Sequence, residues 1–140
     1  MTPDVNVLVA AARPDHSLHA TGRAWLVAAI AEGADLLLFP MVLASFVRLV
    51  IHPKIFLQPA TPSSAFAFID QLLTAPAARM PPLGTEWRRL QTICMSISLK
   101  PNDVPDVWLA AAVQEHGDHL VTFDSGFRRL LRRTELTVLR

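Results

Sequence analysis

Three aspartates lie far apart in the chain, and each stands beside strongly apolar residues: Asp4 in the segment 3–8, Asp106 in the segment 105–111, and Asp124 directly after 121–123. Carboxylates normally stay in water, because burying a charge is costly unless it is paired or bound to a metal. Three of them at the ends of apolar segments therefore suggest a shared ligand. A hard divalent cation with oxygen ligands is the simplest candidate, and it would favour chemistry on phosphate.

Each aspartate also has an ordinary structural explanation. Asp106 could stabilise a helix N-terminus, and Asp124 could cap the turn that follows it. Asp4 could be an exposed residue near the chain terminus. These alternatives stay open for each residue taken alone.

Composition limits the class of protein. The chain has 140 residues, 51% of them apolar and 18% charged, which predicts one domain with a substantial core. Cys94 is the only cysteine, so a disulfide framework is excluded and a reducing cytoplasm is expected. The N-terminus shows no signal-peptide pattern, and the most apolar stretch, 36–47, is interrupted by Pro40 and too short to span a bilayer, so we expect no membrane association.

The net charge of +1 does not indicate a nucleic-acid-binding protein, but the distribution of charge is informative. Four arginines follow Asp124 closely: Arg128, Arg129, Arg132 and Arg133. Such a cluster could hold phosphates next to a metal, although a solvated helix face is the simpler alternative.

Apolar periodicity and turn residues predict the elements that must position these side chains. Helices are expected over 16–32 after an Asp15 cap, over 41–50 after Pro40, over about 62–74, after Thr85, and from about 103 to Gly117. Strands are expected at 36–39, 80–83, 119–123 and 136–139, with a helical turn at 127–131; the apolar run 5–12 suits either a strand or a helix. This alternation predicts an α/β fold with a mainly parallel central sheet flanked by helices, in which ligand sites form beyond the carboxyl ends of the strands.

Three segments together resemble a known family: Asp-Val-Asn-Val-Leu at 4–8, Asn-Asp-Val-Pro-Asp-Val-Trp-Leu-Ala-Ala at 102–111, and Val-Thr-Phe-Asp-Ser-Gly-Phe at 121–127. Their order and spacing are similar to those of PIN-domain proteins, specifically VapC-type toxins of bacterial toxin–antitoxin pairs. The resemblance covers essentially the whole chain, 1–140, and places 6–12 in a helix.

The resemblance implies an endoribonuclease that depends on Mg²⁺, with Mn²⁺ as a plausible substitute. It also implies a homodimer and a cognate antitoxin that blocks the toxin. Because RNA is recognised mostly in single-stranded loops, a structured RNA such as tRNA or rRNA is the expected substrate class. Asp4, Asp106 and Asp124 match three of the four acidic positions of the family, and they are the expected catalytic and metal-binding residues.

The fourth acidic position is occupied by Ser45, where the family has glutamate. Fewer carboxylates should weaken the affinity for a divalent ion. Asp103, three residues before Asp106, could compensate from the same side of the helix, and the Ser45 hydroxyl could orient a water. Asn6 and Thr122 are further candidate accessory residues, whereas Trp108 could stack on a base but is better explained by core packing.

The substitution at Ser45 leaves a second function open. The chain could be a degenerate PIN domain that binds RNA or an antitoxin with weak or no cleavage. Replacement of Ser45 by glutamate would then raise metal affinity and activity if the site is only impaired.

Overall fold

The computed structural model describes residues 1–140. Its helices are α1 (Val5–Ala12), α2 (His19–Ala31), α3 (Pro40–Val50), α4 (Pro62–Leu73), α5 (Trp87–Ser96) and α6 (Val104–Glu115). Its strands are β1 (Thr2–Pro3), β2 (Leu36–Leu37), β3 (Ala78–Arg79), β4 (Leu120–Thr122) and β5 (Leu136–Val138). Three short 3₁₀ segments lie at Pro101–Asp103, Ser125–Arg129 and Arg133–Glu135.

All paired strands run parallel, which confirms the α/β fold expected from the sequence. One sheet has the order β1-β4-β5, with Thr2 opposite Leu120 and Leu120 opposite Leu136. The strands β2 and β3 form a second pair, and the Leu37 amide donates to the Met1 carbonyl at 3.1 Å, which joins that pair to the β1 side. The carboxyl ends of β1, β4 and β5 therefore lie at one edge.

The helix α1 resolves the ambiguous apolar run that follows Asp4. Its buried residues are Val7, Leu8, Val9, Ala10 and Ala11, so the segment is apolar because it lies in the core on most sides. It packs against α2, where Gly22 allows the close approach: a Cβ at Gly22 would lie 2.9 Å from the Ala10 Cβ. Apolar content alone could not separate this buried helix from a buried strand.

The core is one cluster of 24 buried residues between the sheet and the helices. It includes the aromatic side chains Phe39, Phe46 and Phe127, and Phe46 stacks on Phe68 with ring centroids 5.1 Å apart. None of the helices is both long enough and apolar enough to cross a membrane.

Three local predictions were wrong. Asp15 does not cap α2; it accepts two hydrogen bonds from Arg13, and the helix begins at His19. The strand expected at 80–83 lies at Ala78–Arg79 instead, where it pairs with β2. Thr85 does not cap α5, whose N-cap residue is Glu86.

Candidate active site

Asp4 lies at the junction of β1 and α1 and caps that helix. Its backbone is extended, with φ −69° and ψ 160°, and its Oδ1 accepts a hydrogen bond from the Val5 amide at 2.6 Å. Only 5% of the residue is exposed. Burial raises the pKa of the Asp4 carboxyl to about 6, against the effect of its hydrogen bonds from Thr122 and Val5, and the charges of Asp106 and Asp124 raise it further.

Asn6 and Thr122 hold the second oxygen of Asp4. The Thr122 hydroxyl donates to Asp4 Oδ2 at 2.6 Å, and the Asn6 amide donates to the same oxygen at 2.7 Å. The Asn6 carbonyl oxygen accepts from the Phe123 amide at 3.1 Å, which ties α1 to the end of β4. The structure thus places both predicted accessory residues beside Asp4, in a network that fixes its carboxylate.

Asp106 lies in the first turn of α6 and shares a cavity of about 320 Å³ with Asp4 and Ser45. Burial raises the pKa of Asp106 above its usual value, and the charge of Asp124 raises it further, while Arg129 acts in the opposite direction. The remaining lining is mostly apolar: Val5, Met41, Val42, Val104, Pro105, Trp108 and Leu109. The cavity therefore has an acidic side and an apolar side.

Asp124 caps the 3₁₀ segment after β4, a structural role that the sequence had left open. Its Oδ1 accepts from the Gly126 amide at 2.7 Å, and its own amide donates to the Thr122 hydroxyl at 2.9 Å. The side chain is exposed and does not line the cavity shared by Asp4 and Asp106. Its charge nevertheless acts on the pKa of both, so the three aspartates come together at one edge of the sheet without forming a single cage.

Ser45 and Asp103 occupy different surroundings. Ser45 lines the cavity from α3, where a longer acidic side chain would extend toward Asp4 and Asp106. Asp103 instead forms a two-pronged ion pair with Arg129, at 2.6 and 3.2 Å, and also accepts from the Lys100 amide at 2.9 Å. The Arg129 guanidinium holds the pKa of Asp103 below its usual range, so the oxygens expected to compensate for Ser45 are engaged by protein donors.

The four clustered arginines separate into two groups. Arg129 is paired with Asp103, and Arg132 with Glu135 at 2.8 Å. Arg128 and Arg133 form no ion pair within the chain, and together with Arg140 they line a cavity of about 400 Å³. Arg140 was missed from the sequence, although its position two residues after β5 places it at the same sheet edge as Asp124.

A metal can be tested against the donors that are present. No group of three or more His, Cys, Asp or Glu side chains has the spacing of a preformed metal site. Magnesium, however, keeps several waters and is bound through only one or two carboxylates. Asp4 and Asp106 meet this requirement. Burial and the neighbouring carboxylates raise the pKa of each, an effect that a bound cation would oppose.

A mainly parallel α/β domain with acidic side chains at the carboxyl edge of its sheet is typical of enzymes that bind a ligand at that edge. Comparison with known proteins identifies the family. The PIN domain profile matches residues 1–132, so the chain belongs to the PIN-domain family. Ribonuclease VapC43 of Mycobacterium tuberculosis is 36% identical over 130 residues, covering 92% of this chain and 88% of the relative. A VapC ribonuclease of Mycobacterium bovis is similar to the same extent. Ribonuclease VapC25 of M. tuberculosis is 34% identical over 133 residues, covering 90% and 89%.

Proposed function

We propose that this PIN-domain protein is a metal-dependent endoribonuclease and the toxin of a type II toxin–antitoxin pair. The observation that carries the proposal is the cavity shared by Asp4 and Asp106, with the charge of Asp124 acting on both. Relatives named as ribonucleases, matched over about nine-tenths of the chain, support the reaction class. The proposed cofactor is Mg²⁺, with Mn²⁺ as a substitute.

The proposed reaction is hydrolysis of an RNA phosphodiester: water adds at phosphorus, one P–O bond breaks, and a phosphate monoester and a hydroxyl are released. A bound divalent ion supplies charge stabilisation on the phosphate oxygens and lowers the pKa of a bound water. Asp4 and Asp106 are the residues that would hold the ion. Asn6 and Thr122 orient the Asp4 carboxylate, which removes the need to reorganise it during the reaction.

Asp124 has a different proposed role, because its side chain lies outside the shared cavity. Its charge favours cation binding nearby, directly or through a water, while its hydrogen bond to Gly126 fixes the start of the arginine-bearing segment. Asp124 therefore links the metal-binding edge to the groups that would contact RNA.

The substrate is proposed to be a structured RNA such as tRNA or rRNA. The unpaired guanidinium groups of Arg128, Arg133 and Arg140 support this, because arginine presents several donors to phosphate oxygens in a fixed geometry. Arg128 follows Asp124 in the 3₁₀ segment after β4, and the cavity extends along β5 from Arg133, before the strand, to Arg140, two residues after it. One RNA strand could therefore extend from the carboxylate edge along these arginines.

Partners are proposed on the basis of exposed apolar side chains. Trp87 is 66% exposed and Met95 is 84% exposed on α5, a helix without a buried residue, which supports a homodimer contact there. A separate groove of about 680 Å³, lined in part by Leu49, Ile55 and Leu57, supports antitoxin binding. Phe46 of α3 does not line this groove, because it is buried in the core. The protein is proposed to act in the cytoplasm.

A degenerate PIN domain with weak or no cleavage is the second candidate, favoured by Ser45 and by the engaged oxygens of Asp103. One experiment separates the two. Purified protein is incubated with total RNA and Mg²⁺, then with EDTA, and then with Mg²⁺ or Mn²⁺ restored. The endoribonuclease proposal predicts cleavage that EDTA abolishes and the metal restores. Intact RNA in every condition, with RNA binding retained, would favour the degenerate domain.

A further inference from the structure

Trp108 is part of the cavity that contains Asp4 and Asp106. The residue is half-buried and lines the cavity from α6, on the apolar side. Its indole N–H donates to Glu86 Oε1 at 2.6 Å. The indole is therefore held at one end by a carboxylate while part of its surface remains accessible beside the acidic groups.

Glu86, the residue that holds the indole, is a buried carboxylate. The residue is only 2% exposed, and its second oxygen accepts from the Gly84 amide at 2.7 Å. Burial acts against its charge, but the hydrogen bonds from Trp108 and the backbone keep the pKa of Glu86 below its usual value. Gly84 has φ 117°, a conformation that strains other residues, so the turn that directs its amide at Glu86 depends on glycine.

A buried carboxylate is costly unless its hydrogen bonds are satisfied, and an apolar residue at position 86 would avoid that cost. Core packing of Trp108 alone would require neither the charge of Glu86 nor the glycine-dependent turn at Gly84. The hydrogen bond specifies the orientation of the indole more narrowly than packing would, and that orientation determines the shape of the apolar side of the cavity.

We propose that Trp108 is the stacking platform for the nucleobase next to the scissile phosphate, and that Glu86 is a positioning residue that fixes the indole for this contact. The proposal rests on the proposed ribonuclease function. A nucleotide carries a charged phosphate and a flat, largely apolar base, which match the acidic, cation-binding side and the aromatic side of the same cavity. Stacking on an aromatic residue tolerates different bases, so the contact would strengthen binding without a strict sequence requirement.

The first test measures binding without catalysis. The chain has three tryptophans, so the variant Trp25→Phe with Trp87→Phe leaves Trp108 as the only indole. A short oligoribonucleotide is titrated in EDTA and tryptophan fluorescence is recorded, with an oligonucleotide of abasic residues and inorganic pyrophosphate as matched controls. The proposal predicts quenching by the oligonucleotide only. Equal quenching by the abasic chain, or no change with any ligand, would overturn it.

The second test measures cleavage of a short RNA and of the same RNA with an abasic residue next to the cut. On the normal substrate, Trp108→Leu should raise KM about tenfold with a small effect on kcat. On the abasic substrate, the KM values of Trp108→Leu and the wild type should be the same. Trp108→Phe keeps a stacking ring and should lose less. Equal losses for Trp108→Leu on both substrates would contradict the stacking role.

The positioning role of Glu86 is tested by two substitutions at that position. Glu86→Gln retains an acceptor for the indole N–H and should keep KM near the wild-type value, whereas Glu86→Leu should raise KM as Trp108→Leu does. Equal KM values for the two Glu86 variants would refute the positioning role. If the wild-type protein cleaves no RNA, the ribonuclease proposal fails, but the fluorescence titration still decides whether Trp108 contacts a base.

Discussion

At the scale of one residue, the buried carboxylate of Asp4 lowers the stability of the folded protein when it is ionised. Its carboxylate is buried, receives hydrogen bonds from Val5, Asn6 and Thr122, and has a pKa of about 6 rather than the usual 3.8. Hydrogen bonds offset only part of the burial cost. The native protein therefore binds this proton more tightly than the unfolded chain does, and deprotonation of Asp4 destabilises the fold.

The pH dependence of stability should reveal this residue. The contribution of Asp4 is most favourable below pH 3.8 and is lost as the pH rises through about 6, which corresponds to about 3 kcal/mol. In metal-free buffer, the free energy of unfolding of the wild type minus that of Asp4→Asn should therefore increase as the pH falls from 7 to 4. Urea denaturation at several pH values measures it, and a constant difference would contradict the raised pKa.

Ser45 provides a second prediction for a single residue. Ser45→Glu adds a carboxylate to the cavity of Asp4 and Asp106, so it should lower stability without metal and raise Mg²⁺ affinity roughly tenfold. Thermal unfolding across a Mg²⁺ titration measures both effects. Ser45→Ala is the control and should leave both nearly unchanged, and an unaltered Mg²⁺ response in Ser45→Glu would show that this position does not reach the ion.

The sequence identified several site residues because their types and spacing carry information. Asp4 and Asp106 meet in one cavity, and Asn6 and Thr122 contact Asp4. The environment of Asp103 could not be predicted, because its partner Arg129 is 26 positions away and on a different element. Glu86 was missed for the same reason: its role depends on Trp108, which lies 22 positions away.

At the scale of secondary-structure elements, the helices with clear starts were the most predictable. Pro40 begins α3, and Thr61 caps α4 by accepting a hydrogen bond from the Ser64 amide. The two-residue strand β3 was misplaced because so short a segment has no periodicity to detect, and its position depends on pairing with β2. Local signals located the starts of α3 and α4, but not those of α2 and α5, where Asp15 and Thr85 do not act as caps.

The contact between α1 and α2 allows a prediction for an element. Gly22→Ala should destabilise the protein by about 1–3 kcal/mol, although alanine favours helices, because the new Cβ would lie 2.9 Å from the Ala10 Cβ and 3.0 Å from the Ala11 amide nitrogen. Chemical denaturation measures the change. As a control, Ala24→Gly on the exposed side of α2 should cost only about 1 kcal/mol from helix propensity, and a stabilising Gly22→Ala would contradict the close contact.

At the scale of the whole molecule, the parallel sheet determines which distant residues meet. Alternation of helices and strands predicted this architecture, and the register of β1, β4 and β5 brings Asp4, Asp124 and Arg140 to the same edge. The state of the arginines could not be predicted, because it depends on which acidic side chain each one reaches. Arg129 and Arg132 are paired, whereas Arg128, Arg133 and Arg140 are not.

The unpaired arginines should contribute more to RNA affinity than the paired ones. Arg133→Ala and Arg140→Ala should each weaken binding and reduce the slope of log affinity against log salt by about 1. Arg132→Ala is the matched control and should have a smaller effect, because that guanidinium already pairs with Glu135. Fluorescence anisotropy with labelled RNA at several salt concentrations measures this, and equal effects for the three variants would contradict the assignment.

The central claim is that the carboxylates at this edge of the sheet cleave RNA with the help of a metal. The most direct measurement compares RNA cleavage in Mg²⁺ by the wild type, by Asp106→Asn and by Asp70→Asn, all purified identically. Asp70 is an exposed aspartate on α4, away from the cavity, so its variant carries the same chemical change without touching the site. The account predicts that Asp106→Asn lowers the cleavage rate by about a hundredfold or more while Asp70→Asn keeps the wild-type rate. Cleavage by Asp106→Asn at the wild-type rate would contradict it.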